Sequence, residues 1–360
     1  LALFIHDLSS SLDNNIPVDA IFLDFEKAFD KVPHKRLFLK LLCLNLDMPI
    51  YEWICDFLTN RQQFVYVNNT ASSRSPVLSG VPQGTVLGPL LFLIYINDIA
   101  SNISSSIRLF ADDCIIYRPI NHQADAHALQ TDLSHIETWC KTWLMSLNVK
   151  KTSLISFHRR RTYPTPCYVL CGSVISPTST CKYLGINISH DLSWSTHITA
   201  ITNEANRVLS YLRRNLSVAS SSIKTLAYIT LVRPKLEYAC AVWDPHISYL
   251  TKALESVQNR AARFIHSDYS YHSSATAMKS RANLPDLELR RKICRLILFH
   301  KFYHSSLADL KPAHDVSPGT SHSKAVYPPR ACTTAHLHSF FSHTAVDWNG
   351  LPADAALHTS

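Results

Sequence analysis

The stretch IRLFADDCIIY, residues 107–117, is apolar on both sides of two adjacent aspartates. Its simplest reading is strand, turn, strand, with Asp112 and Asp113 at or beside the tip. A second short apolar strand, AIFLDF at 20–25, runs into a further carboxylate, Asp24. A carboxylate set in an apolar strand is unfavourable unless it is paired or binds a cation. Three such groups brought together suit Mg²⁺, which takes carboxylate oxygens together with substrate phosphates. Two such metals can activate a hydroxyl and stabilise a leaving pyrophosphate during phosphoryl transfer. Taken alone, an Asp-Asp pair is more simply a solvated hairpin tip, and Asp24 a turn cap. The neighbouring sequence decides between the two readings.

Between these strands, Pro33 to Leu46 and Pro49 to Leu58 carry apolar residues at helical spacing. Residues 63–67 and 74–79 read as a hairpin around Asn68-Asn69. Glycine is scarce, seven in 360 residues, yet Gly80, Gly84 and Gly88 fall within nine positions. That clustering marks a special loop, followed by an apolar helix at 89–100. Leu129, Leu133, Ile136, Cys140 and Trp143 step by three or four, which predicts an amphipathic helix over 125–145. Short strands are expected at 152–157, 167–175 and 181–188, with Cys171-Gly172 as a turn. Helices are expected at 196–216, 220–235 and 247–266, and a weakly patterned His-, Ser- and Pro-rich tail from about 312. Strands alternating with helices, then a helical part, predict an α+β domain followed by a helical one.

Hydrophobic residues are 46% and charged residues 17% of the chain, which excludes wholesale disorder. The longest apolar run, Leu90 to Ile96, is far below the ~20 residues of a membrane span. The first residues lack the pattern of a signal peptide. Ten scattered cysteines read as reduced thiols in an intracellular protein. Cys167, Cys171 and Cys181 have no fitting fourth ligand, so zinc is not expected. A start at Leu1 rather than Met points to a fragment. Residues 1–180 hold 15 Lys+Arg and 15 Asp+Glu, whereas 181–360 hold 20 and 12, so the whole excess of +8 lies in the second half. A neutral half with prominent carboxylates and a basic half suit a metal site beside a polyanion-binding surface.

Five linked segments resemble the reverse transcriptase of non-LTR (LINE-type, jockey-like) retrotransposons: AIFLDFEKAFDKVPHKRL (20–37), GVPQGTVLGPLLFLIYINDI (80–99), FADDCIIY (110–117), LNVKKT (147–152) and KYLGI (182–186). LVRPKLEYACAVWDP (231–245), QNRAARFI (258–265) and DWNGLP (347–352) extend the resemblance. It implies a right-hand polymerase palm, an antiparallel sheet with helices, over 1–189 with residual fingers. A helical thumb at 190–270 and a C-terminal extension at 271–360, partly helical with a weakly ordered tail, would follow. The implied activity is RNA-directed DNA synthesis, adding dNTPs to a DNA primer 3′-hydroxyl on an RNA template, with two Mg²⁺ ions or Mn²⁺. A nuclear location is the family expectation, and no membrane partner is implied. The alternative is a truncated, inactive remnant that still holds RNA or RNA–DNA duplex.

The resemblance also assigns roles. Asp24, Asp112 and Asp113 match the metal-binding carboxylates, Asp112 more firmly than Asp113. Phe29 matches the ring that excludes a ribose 2′-hydroxyl, although an isolated Phe is more simply core. Gln83 and Gly84 match the contacts to the incoming nucleotide, where glycine permits close approach, and Pro82 stiffens that loop. Asp30 is given a structural role, pairing with Lys27 or capping the next helix. Lys151, with Lys150 as the alternative, would neutralise or protonate the departing pyrophosphate. Tyr183, Leu184 and Gly185 match a hairpin that grips the primer end. Arg207, Arg213 and Arg214 on one expected helix, Arg260 and Arg263 on another, and Arg290, Arg291, Lys292 and Arg295 on a third would track duplex phosphates without reading sequence. Tyr211 would pack on sugars.

Two departures from the family pattern stand out. Only 23 residues precede Asp24 in this sequence, so a fragment lacking the upstream endonuclease and most of the basic fingers that clamp a triphosphate is expected. Phe110 stands where many reverse transcriptases have Tyr, a change that keeps the packing.

Overall fold

The computed structural model describes residues 1–161, 163–305 and 322–357. Two compact units are present: Ile16–Tyr183, and Leu1–Asn15 together with Leu184–Ser360.

The first unit is built on four antiparallel strands: β1 (Val18–Leu23), β2 (Ser106–Phe110), β3 (Asp113–Pro119) and β4 (Ser153–Phe157), in the order β2-β3-β1-β4. The central strand β1 is buried along its whole length, which is why its sequence is nearly continuously apolar. Ile21, Leu23, Cys114 and Ile116 share a core with Leu91 and Phe92 of the Leu87–Ile96 helix and Leu129, Leu133 and Ile136 of the Gln123–Trp143 helix. The period read from the sequence thus faces the sheet. At the start of that second helix Asp125 accepts from the backbone N–H of Asn121 and His122, and Leu144 closes it in the left-handed region at φ 57°.

The expected hairpin around Asn68-Asn69 is present. Tyr66 pairs Ala71 and Val67 pairs Thr70, while Gln62 pairs Pro76 and Gln63 pairs Ser75. Asn68 and Asn69 both take positive φ, 48° and 60°, which matches the strand twist across a two-residue turn and which asparagine tolerates.

One polar feature of this core escaped sequence reasoning. Lys40 is 8% exposed, and its ammonium lies against the rings of Tyr95, Trp139 and Trp143, 3.8 Å from the last centroid. It donates to the Tyr95 carbonyl and to Asp98, which also accepts from Trp139 Nε1 at 2.9 Å. Burial lowers the Lys40 pKa against the opposing pull of Asp98.

The second unit is mainly helical: Ala2–Asp13, Ser195–Asn215, Ser248–His266, Leu287–Tyr303 and Phe340–Asn349 are its longer helices, with Trp243 and Trp348 fully buried. The helix expected over 220–235 widens to π geometry at Tyr228–Val232, just before Pro234, whose ring nitrogen has no hydrogen to donate. Two expectations are corrected here. Residues 1–15 were placed with the palm, but the Ala2–Asp13 helix belongs to the second unit. The Asp13 carboxylate accepts from the backbone N–H of Cys332 and Thr333, Ser9 Oγ lies 3.2 Å from His336 Nδ1, and His6 packs edge-on to Phe341. The tail was expected to be weakly ordered, but over 322–357 it packs by buried Phe340, Phe341, Ala345 and Trp348. Apolar residues at 340, 341, 345 and 348 recur at helical spacing, which suffices to bury one face despite the Ser and Pro around them. Residues 306–321, which include the first part of that tail, lie outside the described residues.

Histidines gather in this unit. Burial lowers the pKa of His6, His246, His336, His338 and His343. A folded value below the unfolded one means that protons bind the unfolded chain preferentially. Stability is therefore full above the unfolded value near 6.5 and falls as pH drops through it. The thermal midpoint is expected to be lower at about pH 5.5 than at about pH 7.5. A flat scanning-calorimetry profile over that window would contradict it.

Candidate active site

The strand register brings the carboxylates together. Leu23 lies opposite Cys114 on one side of β3, and Phe110 opposite Asp113 on the other. Asp24, the residue after β1, is therefore level with Asp113. Ala111 and Asp112 form the turn between β2 and β3, with Ala111 at φ 52°, where a non-glycine residue is strained. The strand–turn–strand reading of 107–117 thus holds, and it places the two aspartates where the sheet ends.

The electrostatics agree with this grouping. The Asp113 carboxyl is pushed above the usual carboxylate range, first by burial, then by the charges of Asp112 and Asp24. Asp24 Oδ2 is buried and accepts no hydrogen bond, and the Lys151 ammonium lies 3.8 Å from it. Lys151 sits in a turn whose backbone bonds return to Asn148, and the Asn148 N–H donates to the Asp24 carbonyl at 2.7 Å. The loop is thereby tied to the end of β1. An orphaned carboxylate oxygen beside two more carboxylates, one of them raised by its neighbours, has the donor chemistry of a divalent-cation site. Among the described residues no three or more His, Cys, Asp or Glu side chains are arranged so that they could hold a metal ion together, so the three carboxylates would have to close around one.

The glycine loop is locked onto the segment after Asp24. Gly80 N–H donates to the Val32 carbonyl and Val81 N–H to Phe29, both at 2.8 Å, and Ser79 Oγ donates to the Asp30 carbonyl. Gly80 has φ +92°, and a Cβ there would lie 2.7 Å from the Asp30 carbonyl oxygen. At Gly88 a Cβ would meet the Pro82 carbonyl oxygen at 2.2 Å. Gly84, φ +78°, has open space instead, so only its backbone conformation asks for glycine. Gly88→Ala is expected to destabilise the chain by about 1–3 kcal/mol through forced displacement of the loop, measured by urea denaturation. A change below about 0.5 kcal/mol would show that the loop yields without penalty.

Gln83 is exposed and its Nε2 donates to Asp30 Oδ1 at 3.0 Å. This corrects the role given to Asp30: its side-chain partner is Gln83, while Lys31 pairs with Glu26 at 2.7 Å. Phe29 stacks on Phe92, centroids 4.4 Å apart, and is only partly exposed. A cavity of about 640 Å³ opens beside Gln83, lined also by Lys27, Asp30 and Arg61. Sequence reasoning gave no cavity role to Lys27 or Arg61. Lys27 carried a signal only in hindsight, through its left-handed φ of 48° before the short Ala28–Lys31 helix.

The remaining assigned residues divide sharply. Tyr183 is buried, 6% exposed, edge-on to Phe22. Its ring belongs to the core and does not face solvent. Leu184 and Gly185 turn with φ 46° and 79°, and Tyr238 Oη donates to the Leu184 carbonyl. On the Ser195–Asn215 helix, Arg207, Arg213 and Arg214 are exposed beside Tyr211, with Arg213 over the Tyr269 ring. Arg260 donates to Asn206, and Arg263 to the Ser270 and Ser273 carbonyls. In the third basic group Arg291 and Arg295 face inward and pair with Asp244, whereas Arg290, partly exposed, pairs with Glu237 and Lys292, exposed, with Asp347. The role along a duplex expected for Arg291 and Arg295 is corrected, because these two charges are buried and neutralised within the fold.

Residues 14–188 match the reverse transcriptase (RNA-dependent DNA polymerase) family. Among similar proteins, the probable RNA-directed DNA polymerase from transposon X-element of Drosophila melanogaster is 30% identical over 274 residues, covering 72% of this chain and 30% of that protein. The corresponding protein from transposon BS is 29% identical over 313 residues, 83% of this chain and 34% of the relative. That from mobile element jockey is 30% identical over 246 residues, 65% and 26%. The chain spans about a third or less of the length of these relatives. Telomerase from Candida albicans, solved with a fragment of telomeric RNA, is similar at TM-score 0.43 and 12% identity, covering 86% of this chain and 52% of that one. Among the described residues no helix is long and apolar enough to cross a membrane.

Proposed function

We propose, on the premise that residues 14–188 match the reverse transcriptase family and that the chain is similar to non-LTR retrotransposon polymerases, that it carries the RNA-directed DNA polymerase centre of such an element, extending a DNA primer with dNTPs on an RNA template. The observation that carries the reading is the level placement of Asp24 and Asp113 beside Asp112, with Lys151 near Asp24. The family depends on divalent metal in general; here two Mg²⁺ ions, or Mn²⁺ in their place, would be held by Asp24, Asp112 and Asp113. Bound there, the cations supply activation of the primer 3′-hydroxyl and neutralisation of charge on the transferring phosphoryl group. The chain's own groups do the rest. The carboxylates fix where cation charge can sit, since their mutual repulsion falls only when it is neutralised. The Lys151 ammonium stands beside Asp24, where a departing pyrophosphate would find a counter-charge. Gln83 lines the cavity that would admit the incoming nucleotide, with Lys27 and Arg61 as cationic walls, and Gly84, next in the chain with open space around it, would allow close approach. Phe29, held against Phe92, would limit space at the ribose. Leu184 and Gly185 would approach the primer end, and Arg207, Arg213 and Arg214 with Arg260 would follow the duplex backbone. A nuclear site of action follows from the same family reading.

Primer extension on poly(rA)/oligo(dT) with Mg²⁺ or Mn²⁺, with duplex binding recorded in parallel, tests this. Extension is expected. Binding without extension favours an inactive remnant that retains nucleic acid.

A further inference from the structure

A second charged surface lies at the other end of the same sheet. Phe157, the last residue of β4, pairs with Val18, the first of β1. Asp24 is six positions beyond Val18, so roughly 20 Å of strand lies between this end and the carboxylates. Immediately after β4 the chain reads His158-Arg159-Arg160-Arg161. The three arginines are exposed, and among the described residues none has an ion-pair partner. They differ in this from Arg290, Arg291 and Arg295, which are neutralised internally.

The run borders a groove of about 920 Å³. One wall is the start of the Gln123–Trp143 helix, including His122 and His127; the other carries Arg160, Tyr163 and Tyr168. None of the lining side chains is acidic. Asp125, nearby, is already engaged by the Asn121 and His122 amides and by Arg118. Tyr163 is partly exposed and stacks against His158, centroids 5.0 Å apart. The Asp19 carboxylate lies behind this wall, fully buried and accepting from Tyr168 Oη at 2.7 Å, so it does not face the groove. A groove with arginines at its rim, no acidic lining side chain and an aromatic ring at its edge is the arrangement that holds single-stranded nucleic acid: guanidiniums on phosphates and a ring under a base.

We infer that Arg159, Arg160, Arg161 and Tyr163 form a binding site for single-stranded nucleic acid, separate from the carboxylate centre and on the opposite end of the sheet. A single strand rather than a duplex is favoured because a duplex hides the base faces that Tyr163 would meet. The inference shares with the proposed function only the class of ligand, and it requires no catalysis.

The test uses the full chain carrying Asp112→Asn, so that failure of the chemistry and failure of this site stay separate. Fluorescence anisotropy reads binding of a fluorescein-labelled, unstructured 15-mer as RNA, as DNA and as the corresponding duplexes, over a salt series. Arg159→Ala/Arg160→Ala/Arg161→Ala is expected to weaken single-strand binding at least tenfold and to lower the salt slope by about 2, roughly 0.7 for each lost phosphate contact. Tyr163→Ala is expected to weaken it about fivefold or more, and Tyr163→Phe to leave it unchanged. Arg207→Ala/Arg213→Ala/Arg214→Ala serves as the comparison surface. Equal loss for RNA and DNA supports recognition through phosphates and base faces. Loss for RNA alone supports the site with added ribose contacts. Unchanged affinity and slope in the triple variant, or a loss as large for duplex as for single strands, overturns the inference.

Discussion

Asp112→Asn is expected to reduce primer extension by on the order of 10³-fold, equivalent to about 4 kcal/mol of transition-state stabilisation. The substitution keeps shape and removes one negative charge. Asp112 sits in the two-residue turn between β2 and β3 and is only half-buried, so the fold has little to lose. The carboxylate group, however, loses part of the field that would hold cations. Asp112 is also one of the charges that raise the Asp113 carboxyl, so its neutralisation is expected to bring Asp113 back toward the ordinary carboxylate range, visible in an NMR titration. The two readouts separate the roles. Lost extension, a lowered Asp113 value and a thermal midpoint within about 2 °C of the parent would show an electrostatic role in the chemistry. Extension equal to the parent would remove Asp112 from the mechanism altogether.

What could be read in the sequence follows from what local pattern encodes. Strand β1, the 107–117 hairpin and the helix beginning at Gln123 carry periods or apolar runs that only one local structure satisfies, and they place Asp24, Asp112 and Asp113 without further help. The Asn68-Asn69 turn was legible because its backbone requirement names its residues. The fate of a long polar side chain is not written locally. Lys40 looks like a surface lysine until Tyr95, Trp139 and Trp143, 55 to 103 positions away in sequence, close over it. Tyr183 looks like a contact residue until Phe22 is found against its ring. The Ala2–Asp13 helix precedes the palm in sequence, yet its Asp13 caps a turn at Cys332 and Thr333. Composition cannot show a pairing between the two ends of a chain. The arginines of the Leu287–Tyr303 helix are the plainest case. Their spacing is that of a basic face, and nothing nearby reveals that Asp244 and Asp347 wait opposite.

That last difference yields a large stability effect. Asp244 accepts from Arg291 Nε at 2.6 Å and from Arg295 Nε at 2.8 Å, and the two arginine side chains are 1% and 4% exposed. Arg295 has further acceptors in Asp347 Oδ2 at 3.0 Å and Thr344 Oγ1 at 3.3 Å. Arg291 has no second acidic partner among the described residues, and one of its terminal nitrogens is buried without an acceptor. Asp244→Ala therefore strands a buried guanidinium and weakens the hold on another. The expected loss is about 3–5 kcal/mol, the range for breaking a buried ion pair from one side, measured as a lower urea midpoint at unchanged slope. Arg213→Ala, on an exposed helix face, is expected to change stability by no more than about 0.5 kcal/mol. Asp244→Ala/Arg291→Met is expected to recover part of the loss, because it removes the unpaired charge as well as its partner. Nucleic-acid affinity in the double variant is expected to match the parent, since Arg291 faces Asp244 rather than solvent. If Asp244→Ala were as mild as Arg213→Ala, the arginines would be solvated after all, and the basic-face reading of this helix would return.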